Sequence, residues 1–127
     1  MNNNTPKDNS QRLREVLDEL VLRNPTIIGA LVVSDDGLNV ASGIPQPDDD
    51  DVALTASDLM DTARNFGRRL EQGRLLRVLL EGEQRITIVQ SAGKRTVLVV
   101  SVPADEKLGV VTLAIRRAAS QITEIFG

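Results

Sequence analysis

Val97, Leu98, Val99 and Val100 are apolar at four successive positions, and Pro103 ends the run shortly afterwards. Successive side chains of a strand point to opposite faces, so this strand presents apolar groups on both sides. Both faces must then be covered, which places it centrally in a sheet with helices on each side. The rest of the chain has to supply that covering.

Two shorter apolar runs, Leu75 to Leu80 and Arg85 to Gln90, precede it, separated by Glu81-Gly82-Glu83 and Ala92-Gly93-Lys94, which read as turns. Nearer the start, Thr26 to Val33 and Leu38 to Ala41 flank Ser34-Asp35-Asp36-Gly37. Asp-Gly supplies the positive φ of a tight hairpin turn, the clearest local signal in the chain. Three segments carry helical periodicity. Leu13, Val16, Leu17, Leu20 and Val21 form one stripe, with Ser10 as the expected N-cap and Asn24-Pro25 as the stop. A second helix is expected from about Asp50 to Gln72, with carboxylates at its start, arginines at its end and Gly73 as the stop. Leu108, Val111, Ile115, Ala118, Ile122 and Ile125 mark a third. The order α-β-β-α-β-β-β-α predicts an α+β fold: a three-layer α/β/α sandwich around a five-stranded, mainly antiparallel sheet.

The second helix is informative about association. At 100° per residue from Val52, the bulky residues Phe66, Leu59, Val52 and Leu70 fall between about 320° and 0°. The slim ones (Ala63, Ala56, Gly67, Met60 and Ala53) fall between about 20° and 100°. Bulky groups suit the chain's own sheet, and small ones let another helix approach closely. One expectation is that Ala56, Met60, Ala63 and Gly67 meet the same helix of a second copy across a twofold axis. The alternative is a broad core-facing helix whose small residues tuck under a loop.

Composition narrows the chemistry. The 127 residues, 41% hydrophobic and 26% charged, make one domain. No Cys is present, which excludes disulfides and thiolate sites, and no His, which removes the commonest general base. Phe66 and Phe126 are the aromatic residues, so stacking platforms for single-stranded nucleic acid are missing. The net charge of -3 argues against nucleic acid or an anionic membrane as partner. No apolar run is long enough to span a bilayer, so no membrane insertion is expected. Residues 1–10 are polar, read as a disordered tail ahead of a domain at 11–127, and without an apolar leader the expected compartment is the cytoplasm.

The remaining motifs carry little chemistry. Ser91-Ala-Gly-Lys-Arg-Thr96 approaches a phosphate loop but lacks its first glycine, which would stand at Ile88, and reads as a hairpin turn. Asp48 to Asp51 reads as a solvated helix start, since no cation-loop spacing accompanies it. No serine has a His to activate it, and Asp58 and Asp61, which share a helix face with Arg64 three residues from Asp61, read as a surface ion-pair network. Neither an enzyme nor a cofactor or metal site is expected. Arg64, Arg68, Arg69, Arg74 and Arg77 gather around the end of the second helix. They read either as a solvated patch completing the helix dipole or as a surface for a carboxylate-rich partner.

Two stretches resemble the roadblock/dynein light-chain domain family. Ile27-Ile-Gly-Ala-Leu-Val-Val-Ser-Asp-Asp-Gly-Leu, followed by Val40-Ala-Ser, is similar to its opening hairpin. Gly93-Lys-Arg-Thr-Val-Leu-Val-Val-Ser-Val, followed by Leu108-Gly-Val-Val-Thr-Leu-Ala-Ile-Arg-Arg-Ala, is similar to its last strand and helix. The resemblance implies a homodimer in which the third strands of two copies pair antiparallel and the second helices lie side by side. That maps onto residues 72–80, with Arg74, Leu76 and Val78, and onto Ala56, Met60, Ala63 and Gly67. It also implies a non-catalytic regulator of a small Ras-like GTPase, in the manner of the gliding-motility regulators, without a nucleotide pocket of its own. Asp58, Asp61, Arg64, Asn65 and Arg68 are then the expected partner contacts. A competing reading is a dimeric scaffold that tethers a kinase or motor without touching GTP hydrolysis.

Overall fold

The structure, a computed structural model, describes residues 8–126. Residues 1–7 of the expected tail lie outside that range. Residues 9 and 10 belong instead to the first helix, α1 (Asn9–Arg23), and residue 8 caps it. Its cap is Asp8 and not Ser10: the Gln11 N–H donates to Asp8 Oδ1 at 2.8 Å and the Asp8 N–H to Gln11 Oε1 at 3.3 Å. This reciprocal box satisfies two donors at once, which Ser10, already inside the first turn, cannot do. At the other end Asn24 donates from its backbone and its side chain to the Leu20 carbonyl, at 3.1 and 2.9 Å, closing the helix before Pro25.

Strands β1 (Gly29–Ser34) and β2 (Asn39–Ser42) form the expected hairpin. Gly37 takes φ +85° in the turn, and the Ser34 N–H donates to the Leu38 carbonyl at 2.9 Å. Helix α2 (Asp49–Arg69) ends three residues earlier than the expected Gln72. Leu70 caps it, Glu71 turns left-handed at φ 54°, and the Gln72 N–H reaches back to the Gly67 carbonyl at 3.3 Å. Strands β3 (Arg77–Glu81), β4 (Arg85–Ser91) and β5 (Thr96–Pro103) follow, then α3 (Leu108–Phe126).

The sheet order is β2-β1-β5-β4-β3, and every neighbouring pair is antiparallel. The strand with the continuous apolar run is the central one. Leu98, Val100 and Val102 point to one face and pack with Leu13, Leu17, Ile115 and Ile122 of α1 and α3. Val97 and Val99 point to the other and pack with Ala53, Ala56 and Met60 of α2. This is the three-layer α+β arrangement that the order of elements implies. Each core valine or leucine so buried contributes about 1.5–3 kcal/mol. No helix among the described residues is long and apolar enough to cross a membrane.

The two faces are not equally covered. Two helices share one face, whereas α2 has the other to itself and sits over β1 and β2. One helix is about 10 Å wide and adjacent strands are spaced about 4.8 Å, so a single helix cannot cover five strands. Toward the β3 edge that face is only partly covered: Val89 of β4 is buried, Thr87 and Val78 are half-buried and Leu80 is exposed.

Candidate association surface

The direction of α2 decides what this partly covered strip can do. Ala53, Ala56, Met60 and Gly67 are buried, with Ala56 at 6% and Met60 at 1% exposure. Their cover comes from the chain itself. Ala53, Ala56 and Met60 pack on Leu31, Val33, Val97 and Val99, and a Cβ on Gly67 would lie 3.0 Å from Gln72 Nε2. The bulky residues are the outward ones: Leu59 is half-buried, Phe66 is 63% exposed and Leu70 is exposed. Ala56, Met60 and Gly67, expected against a twin, are thus already covered by their own chain. Slim residues let α2 sit close on its own sheet, and the space they would offer a second helix is already filled. Of the four, only Ala63 remains half-exposed.

Beside that outward flank lies a groove of about 260 Å³. Val52, Ala56 and Leu59 form its helix wall, Leu80, Thr87, Val89 and Val99 its floor, with Asp51 and Thr55 at the end nearest the start of α2. The floor runs across β5, β4 and β3, from buried Val99 and Val89 to exposed Leu80. Val78 and Leu80 alternate onto this face of β3, paired with Val89 and Thr87 of β4, while Leu79 opposite Ile88 faces the α3 side. β3 is an edge strand, with β4 as its only neighbour among the described residues. Leu76, just before it, and Leu80 are exposed, and Val78 is half-buried. A row of exposed leucines beside a free backbone edge is a template for pairing with another strand. Of the expected dimer residues, Leu76, Val78 and Ala63 retain free surface beside this edge and flank. Arg74 does not face the groove.

The polar side of α2 carries the expected partner residues. Asp58, Asp61, Asn65 and Arg68 are exposed and Arg64 is half-exposed. Arg64 donates to Asp61 Oδ1 at 3.1 Å, and Arg68 bonds to the Asn65 carboxamide oxygen. Such exposed pairs contribute little to stability and leave the groups available. Helix Ser57, buried on this side, donates to the Asp35 carbonyl at 2.9 Å and pins α2 to the hairpin turn.

The arginine group divides in space. Arg64, Arg68 and Arg74 converge on one cavity with Lys94, while Arg69 lies outside it. Arg77 is drawn to the other face of the sheet, where its Nε donates to Gln90 Oε1 at 2.9 Å. The Ser91–Thr96 segment is a turn between β4 and β5, with Gly93 at φ +100° and the Ala92 N–H bonded to the Thr96 carbonyl at 3.0 Å. Among the four aspartates at the start of α2, Asp49 departs from a purely solvated reading. It is nearly buried and accepts from Ser42 Oγ at 2.8 Å and the Gln46 N–H at 2.9 Å.

Sequence reasoning missed the groove, although one signal was present. Val52, Leu59 and Phe66 recur every seventh position, the spacing of a second apolar seam beside the core-facing one. Fold and surface together define a class: a layered α+β domain with one helix too few on one face and an unpaired apolar edge. The chain belongs to the Roadblock/LC7 domain family, whose model matches residues 13–101. It is 34% identical over 101 residues to the uncharacterized protein MJ0310 of Methanocaldococcus jannaschii, covering 79% of this chain and 88% of that one. The solved gliding protein MglB of Thermus thermophilus superposes with a TM-score of 0.84 at 23% identity, covering 95% of this chain and 93% of that one. A Roadblock/LC7 domain from Streptomyces avermitilis gives 0.82 at 24% identity, covering 89% and 96%.

Proposed function

We propose that this chain is a non-catalytic homodimeric module that binds a small Ras-like GTPase and modulates its nucleotide cycle. The observation that carries the dimer is the partly covered strip of sheet beside α2, where Leu80 is exposed and Val78 and Thr87 are half-buried, bordered by the free edge of β3. A second copy related by a twofold axis fills it. The two β3 edges pair, and the Leu59, Ala63 and Phe66 flanks of the two α2 helices meet over the joined sheet. Leu76, Val78 and Leu80 lie along the joint, with Arg74 near its end. The outward polar side of α2, with Asp58, Asp61, Arg64, Asn65 and Arg68, is then doubled on one face of the dimer and is the partner surface. Family membership and the likeness to a gliding protein support the regulatory reading.

The test is size-exclusion chromatography of the chain with a Ras-like GTPase from the same genome in its diphosphate and triphosphate states, followed by hydrolysis and exchange rates. State-dependent co-elution with a changed rate is expected. No co-elution in either state overturns the partner, and binding without any effect on either rate makes the chain a scaffold.

A further inference from the structure

The cavity that gathers the cations lies outside the dimer groove, its two α2 residues about 160–200° from Phe66 on the helical wheel, although Arg64 and Arg68 also belong to the proposed GTPase surface and Arg74 lies near the end of the proposed joint. It has a volume of about 470 Å³. Arg64 and Arg68 reach it from α2, Arg74 from the α2–β3 connection, and Ser91, Gly93 and Lys94 from the β4–β5 turn. No carboxylate lines it. Arg64 is paired with Asp61, which stands outside the lining, and Arg68 with the neutral Asn65. Arg74 and Lys94 make no ion pair among the described residues. Like charges gathered from three separate segments of a chain with net charge -3 repel one another, and an anion held among them would offset that repulsion.

We propose that this cavity binds the polyphosphate group of a small ligand. Same-face carboxylates of an extended acidic peptide are spaced about 6.6 Å apart and carry one charge each. A di- or triphosphate concentrates several charges within that distance, matching four cations that share one cavity. Guanidinium forks grip phosphate oxygens bidentately, and the Lys94 ammonium adds a mobile point charge. Gly93 has no side chain and keeps the approach to the turn open. The Gly-Lys turn that fails as a phosphate loop by its spacing thus receives the missing donors from α2, through tertiary structure.

Titration calorimetry on the full chain, with no GTPase present, separates this proposal from the one above. The probes are inorganic triphosphate, GTP, sulfate and hexaglutamate. Saturable triphosphate binding is expected, tighter than either sulfate or hexaglutamate and weakened by salt. Lys94→Gln and Arg74→Gln should each weaken it roughly tenfold, the loss of one charge-assisted contact. Arg69→Gln removes the same charge outside the cavity and should change affinity less than about twofold. Circular dichroism and molar mass confirm that each variant keeps its fold. Equal affinity for GTP and triphosphate shows that phosphate alone is read, and tighter GTP binding shows added nucleoside contacts; both support the site. Absence of saturation, hexaglutamate binding as tightly as triphosphate, or an unchanged Lys94→Gln variant overturns it.

Discussion

Two residues hold local geometry that no neighbour can replace. Gly37 sits at φ +85° in the β1–β2 turn, and a Cβ there would meet Leu54 Cδ1 at 2.9 Å and the Leu54 Cα at 3.3 Å. Gly37→Ala combines left-handed strain with a tight approach to the α2 backbone at Leu54, and should cost roughly 1–3 kcal/mol in urea unfolding. The Asp-Gly pair announced that turn in the sequence because its reason is local. Asp49 was less legible. Its carboxylate ties β2 and the 43–48 loop to the start of α2 through Ser42 and Gln46, and four adjacent aspartates give no sign of which one turns inward. Asp49→Ala should cost about 1–3 kcal/mol, whereas Asp50→Ala, at an exposed position, should change stability by less than about 0.5 kcal/mol. Equal effects of the two in the same assay would refute the distinction.

At the scale of elements, the edge strand and the helix flank beside it are the decisive pair. A lysine on an exposed edge resists pairing with a second chain. Leu80→Lys and Phe66→Glu should each yield a single-chain mass by light scattering at a concentration where the parent shows two chains, with the helical spectrum kept. Leu113→Lys, equally exposed but on α3 across the molecule, should leave the mass at two chains. A two-chain mass for Leu80→Lys would show that β3 is not the joint. The elements themselves were read well from periodicity, and their ends less well. Gly73, the residue best suited to stop α2, does turn left-handed at φ +84°, but the helix already ends at Arg69, with Glu71 at φ 54° and the Gln72 N–H bonded to the Gly67 carbonyl. Such a bond depends on how the following connection leaves the helix, which local propensity does not encode.

For the whole molecule, folding and association are linked. If the partly covered strip is fully covered only in the dimer, mass action stabilises the folded state as concentration rises. The apparent Tm should climb by about 2–3 °C for each tenfold increase in protein concentration. A Tm independent of concentration, with a single-chain mass throughout, would remove the dimer. The surface ion pairs Arg23–Glu19 and Arg64–Asp61 are solvent-exposed and should not matter to this Tm within measurement error.

The sequence by itself determined the layers. A β-branched apolar run flanked by Gly93 and Pro103 reads as a central strand covered on both sides, and the three amphipathic stripes supply the cover. Hydrophobic periodicity is a property of neighbours along the chain, so it survives without coordinates. Which side of α2 faces inward was another matter. Its apolar arc is wider than one contact, and both the slim and the bulky halves satisfy the period equally. Only the close seat of Ala53, Ala56 and Met60 on Leu31, Val33, Val97 and Val99 chose between them, leaving Phe66 outside. The cation cavity was likewise invisible along the chain, because Arg64, Arg74 and Lys94 become neighbours only when a helix, a connection and a hairpin turn meet at one end of the sheet.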